Sequence, residues 1–134
     1  MSNKILIIDD EADVATYLSM ILKSNDFKSY TLDSVVNALD KVKKIQPDLI
    51  CLDIMMPEET GISFYKKLRK SKEIGYIPVI IISGVVPTGK FDFQSFVKDK
   101  SIPPPERFME KPIDIDDFIS TINELIGRKP VSKN

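Results

Sequence analysis

Several polar residues stand at the ends of apolar runs, and their types suggest one kind of chemistry. Asp9 and Asp10 close the run KILII, Asp53 closes DLICL, Ser83 closes IPVIII, and Lys111 follows RFME. The chain of 134 residues contains no histidine and one cysteine, Cys51. Imidazole is therefore absent as a general base, metal ligand or phosphate carrier, and a Cys–His nucleophile is excluded. What remains is carboxylate, hydroxyl, ammonium, backbone and a hard cation. Three carboxylates brought together repel one another unless a cation compensates. Magnesium suits such a cluster: it takes one or two carboxylates, keeps several waters and completes its octahedron with phosphate oxygens.

Each residue also has a plainer reading. Asp9 or Asp10 can cap the helix that follows. Asp53 can open a loop, and Ser83–Gly84 can be turn chemistry. Lys111 can be a surface lysine, with Pro112 merely ending a strand. Whether these residues act together depends on the elements that carry them.

The hydrophobic pattern alternates between two periods. Lys4–Ile8 is a continuous apolar run, as expected for a strand buried on both faces. Val14, Tyr17, Leu18, Ile21 and Leu22 follow at helical spacing. Phe27–Leu32 reads as an edge strand, and Val35, Val36, Leu39 and Val42 as a second helical stripe ended before Pro47. Asp48–Leu52 is another buried strand. A third helix is expected over about Ile62–Lys70, with Ile62, Tyr65 and Leu68 inward. Ile77–Ile82 is a fourth strand, with Pro78 tolerated near its start. Phe91, Phe93, Phe96 and Val97 suggest a short fourth helix between the breakers Pro87, Gly89 and Pro103–Pro105. Arg107–Met109 is the last strand. Asp114, with Asp117 three residues on, marks the N-cap of a final helix carrying Phe118, Ile119, Ile122, Leu125 and Ile126. Gly127 stands where a C-cap glycine belongs.

Alternating strands and helices imply an α/β fold: a doubly wound, five-stranded parallel sheet with helices on both faces, flavodoxin-like (βα)5. The first, third and fourth strands are the most apolar, which predicts the order 2-1-3-4-5 and a switch point between strands 1 and 3. In a parallel sheet all the polar strand ends lie on one edge, where ligands bind. Residues 1–127 are expected to form one domain and 128–134 a tail.

Composition narrows the function classes. Hydrophobic residues make up 43% and charged residues 29%, with a net charge of −1, so no basic stripe supports direct nucleic-acid binding. The N-terminus does not read as a signal peptide, and no apolar stretch approaches the roughly 20 residues that span a bilayer. A cytoplasmic protein without membrane insertion is the expectation.

The motifs together resemble the receiver domains of two-component response regulators over nearly the whole chain. They are the acidic pair in ILIIDDE, the segment LDIMMPEETG, Ser83–Gly84 and FMEKP, in order. The resemblance implies that Asp53 accepts a phosphoryl group from a phosphohistidine donor, on a sensor histidine kinase or a phosphotransfer protein. It implies that Asp10 binds Mg2+ directly and Asp9 through a coordinated water, with Asp53 and the backbone carbonyl of Met55 as further ligands. Ser83 would hydrogen-bond a phosphoryl oxygen and Lys111 would pair with the phosphate. Phe108 stands at the switch aromatic, and Lys111–Pro112 would be a cis peptide. Such a protein is not a turnover enzyme but a phosphoacceptor that catalyses its own phosphorylation and dephosphorylation.

Because the chain ends just after the last helix, a stand-alone switch acting on an unknown downstream protein is expected. The stretch between Ser83 and Lys111 is longer than the family usually shows, so the partner-binding face is the least transferable feature. An alternative is a receiver-like interaction module that is never phosphorylated. A flavodoxin-like cofactor carrier fits less well, because the first strand leads into DDEADVAT and not into a phosphate loop rich in Gly, Ser and Thr.

Overall fold

The structure, a computed structural model, describes residues 3–54, 61–84 and 101–127. Strands β1 (Lys4–Ile8), β2 (Lys28–Leu32), β3 (Leu49–Asp53), β4 (Val79–Ser83) and β5 (Arg107–Glu110) form one parallel sheet in the order β2-β1-β3-β4-β5. Helices α1 (Ala12–Ser24), α2 (Ala38–Ile45), α3 (Gly61–Lys70) and α4 (Ile115–Ile126) pack on its two faces. The strand order is the one read from the apolar runs. The helix expected around Phe91–Val97 lies outside the described residues, as does the 128–134 segment.

Strand periodicity divides the core cleanly. Successive side chains of a strand point to opposite faces. Leu6, Ile8, Ile50, Leu52, Val79 and Ile81 therefore join Val42 of α2 and Phe64 and Leu68 of α3 in one cluster. Ile5, Ile7, Leu49, Cys51, Ile80 and Ile82 join Leu18 and Leu22 of α1 and Phe118 and Ile122 of α4 in the other. β3 and β4 are buried throughout, whereas β2 and β5, at the sheet edges, are mostly accessible. Each fully buried Leu, Ile or Phe contributes about 1.5–3 kcal/mol, so this central layer fixes where the strands end.

Some helix faces differ from the apolar pattern. Tyr17 is 48% exposed and Val36 50% exposed, since α1 turns Ala15, Leu18 and Leu22 inward and α2 begins only at Ala38. On α3 the buried residues are Gly61, Phe64, Tyr65 and Leu68, with Ile62 half-buried. α4 matches its reading at both ends. The Asp117 amide donates to Asp114 Oδ1 at 2.9 Å, and Gly127 caps the helix at φ 71°.

A polar clamp fixes the chain where it returns to the sheet before β5. The Arg69 side chain, 4% exposed, donates to Tyr65 Oη (2.7 Å), to the carbonyls of Gly75 (3.1 Å) and Ile77 (2.7 Å), and to Glu106 Oε1 (2.7 Å). The Tyr65 hydroxyl donates to the Pro103 carbonyl at 2.7 Å. Glu106 also accepts from the Val79 amide (2.7 Å) and donates its own amide to the Val79 carbonyl (3.1 Å). β4 and β5 are thereby aligned, with Ser83 opposite Glu110.

Candidate functional site

The carboxyl edge of the sheet gathers the polar strand ends. Asp9 follows β1, Asp53 ends β3, Ser83 ends β4 and Lys111 follows β5. Asp9 and Asp53 are each 2% exposed and Ser83 is 3% exposed, whereas Asp10 faces solvent. Buried carboxylates of this kind need a compensating partner. Asp9, Asp10 and Asp53 each offer an oxygen within 4.8 Å of the others, a spacing that can surround one cation.

Lys111 supplies part of the compensation. Its Nζ lies 3.1 Å from Asp9 Oδ2 and 3.6 Å from Asp53 Oδ2. Its backbone amide donates to the Ser83 carbonyl at 2.9 Å, tying lysine and serine together, and the Lys111–Pro112 peptide is cis, as the resemblance implied. Burial alone would lower the lysine pKa. Hydrogen bonds to Glu11 and Asp9 and the charges of Asp53 and Asp9 outweigh that effect and hold it above its ordinary value. The side chain is therefore a fixed positive charge at neutral pH.

Gly61 explains why α3 can start so close to Asp53. Its amide donates to the Ile54 carbonyl at 3.3 Å, and any Cβ there would collide with the Asp53 carbonyl oxygen. Phe108, on β5 opposite Ile81, is 41% exposed. Met55 lies outside the described residues.

Glu11 belongs to the site, although it was not among the residues singled out in the sequence. Its Oε1 lies 2.7 Å from Lys111 Nζ, the shortest of that lysine's ion pairs among the described residues. The available signal was its place directly after the acidic pair, where a third acid reaches the same strand edge.

The donor set fits a hard divalent cation. The candidate ligands among the described residues are all carboxylate oxygens, and Lys111 Nζ stands 3.1 Å from Asp9 Oδ2 and 3.6 Å from Asp53 Oδ2. Three clustered carboxylates beside one ammonium keep a surplus of negative charge, which a cation, with waters bound to it, would compensate. No helix among the described residues is long and apolar enough to cross a membrane.

A parallel sheet ordered 2-1-3-4-5, with an acidic cluster at its switch point and a lysine beside it, defines a flavodoxin-like α/β protein with a charged carboxyl edge. The chain belongs to the response regulator receiver domain family, whose pattern it matches over residues 5–123. It is 26% identical over 127 residues to the polar-differentiation response regulator DivK of Brucella ovis, covering 95% of this chain and 98% of that protein. Similarity to the Escherichia coli phosphate regulon transcriptional regulatory protein PhoB is 31% identity over 83 residues, or 62% of this chain and 36% of PhoB. Among solved structures, the Vibrio cholerae chemotaxis protein CheY4 superposes with a TM-score of 0.78 at 21% identity, covering 93% of this chain and 99% of that one. The receiver domain of a Francisella response regulator superposes with a TM-score of 0.77 at 29% identity, covering 95% and 98%.

Proposed function

We propose that Asp53 accepts a phosphoryl group from a phosphohistidine on a sensor histidine kinase or phosphotransfer protein, and that the resulting charge changes a partner-binding surface. The observation that carries this reading is the meeting of Asp9, Asp10 and Asp53 within 4.8 Å, with Lys111 3.6 Å from Asp53. Asp9, Asp10, Asp53 and the Met55 carbonyl would hold Mg2+. When bound, the ion neutralises charge on the phosphoryl oxygens.

The chain's own groups supply the rest. An Asp53 oxygen forms the new bond to phosphorus as the bond from phosphorus to the donor imidazole nitrogen breaks. Lys111, kept charged by its carboxylate neighbours, pairs with the phosphoryl oxygens. Ser83, buried at the end of the next strand, donates its hydroxyl to one of them. Its movement toward the phosphate lets Phe108 turn inward from its exposed position, converting a local charge change into an altered surface.

Transfer from a phosphorylated histidine donor to wild type and to Asp53→Ala, each followed by partner pull-down, tests this. Labelling of wild type alone, with partners that differ between states, supports it. Unlabelled wild type that still captures partners would replace it with a phosphorylation-independent interaction module.

A further inference from the structure

Glu11 makes a closer ion pair with Lys111 than either aspartate does. Lys111 Nζ lies 2.7 Å from Glu11 Oε1, 3.1 Å from Asp9 Oδ2 and 3.6 Å from Asp53 Oδ2. The ammonium is therefore drawn away from Asp53. The backbone amide of Glu11 donates to Asp9 Oδ1 at 2.9 Å, so this one residue touches both Asp9 and the lysine. Glu11 occupies the N-cap of α1, yet its side chain makes no capping hydrogen bond. Helix capping thus does not account for its orientation; the lysine does.

Taking Asp53 as the acceptor, as proposed above, we propose that Glu11 is a positioning residue that competes with the phosphoryl group for Lys111. It thereby sets the balance between cation binding and phosphoryl retention. Removing its charge has two consequences of opposite sign. The pocket loses one anion, and the released ammonium closes on Asp9 and Asp53; both effects weaken the carboxylates' hold on Mg2+. A phosphoryl group on Asp53, by contrast, no longer has to draw Lys111 from a carboxylate 2.7 Å away, so it is held more tightly. Glu11 is 59% exposed and Lys111 12% exposed, so screening limits each effect to about two- to fivefold in a dissociation constant.

The test is calorimetric titration of wild type, Glu11→Gln and Glu11→Ala, first with Mg2+ alone and then with beryllofluoride at saturating Mg2+. The Glu11 side chain is exposed and caps nothing, so both variants keep the fold, which a thermal melt verifies. In both variants the Mg2+ constant rises about two- to fivefold and the beryllofluoride constant falls by a similar factor. Two constants moving in the same direction, or neither moving, overturns the proposal, because a merely structural role does not split them. Wild type that takes no beryllofluoride at all removes the phosphoacceptor reading itself. That outcome is distinct from wild type that binds it and variants that behave identically.

Discussion

Gly61→Ala perturbs the pocket without changing the identity of any site side chain. Gly61 opens α3, and a Cβ on it would meet the Asp53 carbonyl oxygen and lie 2.7 Å from the Ile54 Cα. These are backbone atoms that cannot rotate aside, so α3 or the end of β3 has to shift. Overpacking that forces such shifts costs about 1–3 kcal/mol. The helix preference of alanine over glycine offsets at most about 1 kcal/mol. The net loss is about 1–2 kcal/mol, which lowers the urea midpoint by about 0.5–1 M at a slope typical of small domains. Because the displaced carbonyl belongs to Asp53, Mg2+ affinity weakens in the same variant. Gly84→Ala is the control: among the described residues its Cβ would meet only Lys111 Cδ, at 3.9 Å, so its stability stays within about 0.5 kcal/mol of wild type. Urea unfolding and Mg2+ titration of the two variants decide the matter. A Gly61→Ala protein as stable as wild type, with unchanged Mg2+ affinity, would refute the reasoning.

Other outcomes follow from the core and the clamp. Arg69→Met removes the donor to the carbonyls of Gly75 and Ile77 and the cationic partner of Glu106, and should cost about 3 kcal/mol by chemical denaturation. Burial raises the Tyr65 pKa above its ordinary 10.0, with Glu106 adding to the effect and Arg69 opposing it. The fold thus favours the neutral phenol: its stabilisation is complete below the unfolded-state pKa and is lost as pH rises beyond it. Tyr65→Phe should flatten the decline in unfolding free energy above about pH 10. Cys51 is fully buried, and burial pushes its thiol far above the ordinary range. A thiol reagent at pH 8 should therefore modify it only after denaturant is added.

The sheet was legible because its central strands are apolar on both faces, so Lys4–Ile8, Asp48–Leu52 and Ile77–Ile82 announced themselves within two residues of the observed strands, and their apolar rank gave the order. The site was legible for the same reason: an Asp or Ser ending such a run must stand at the sheet edge. Helix faces were harder to read, since Tyr17 and Val36 satisfy helical spacing as well as Ala15 and Ala38 do. Only packing decides which of these turn inward. Arg69 and Glu106 gave no signal, because their partnership joins residues far apart in sequence across backbone carbonyls. Glu11 was hidden by its ordinary place at a helix start, and its contact with Lys111 became visible only once β5 brought the lysine to within 2.7 Å.

Acetyl phosphate treatment of wild type and Asp53→Ala, with and without Mg2+, followed by intact-mass measurement, tests the central assignment most directly. A single phosphoryl adduct is predicted on wild type only, and only with Mg2+ present. An adduct of equal yield on Asp53→Ala, or on wild type stripped of divalent cations, would contradict the assignment of Asp53 and its carboxylate neighbours as the phosphoacceptor pocket.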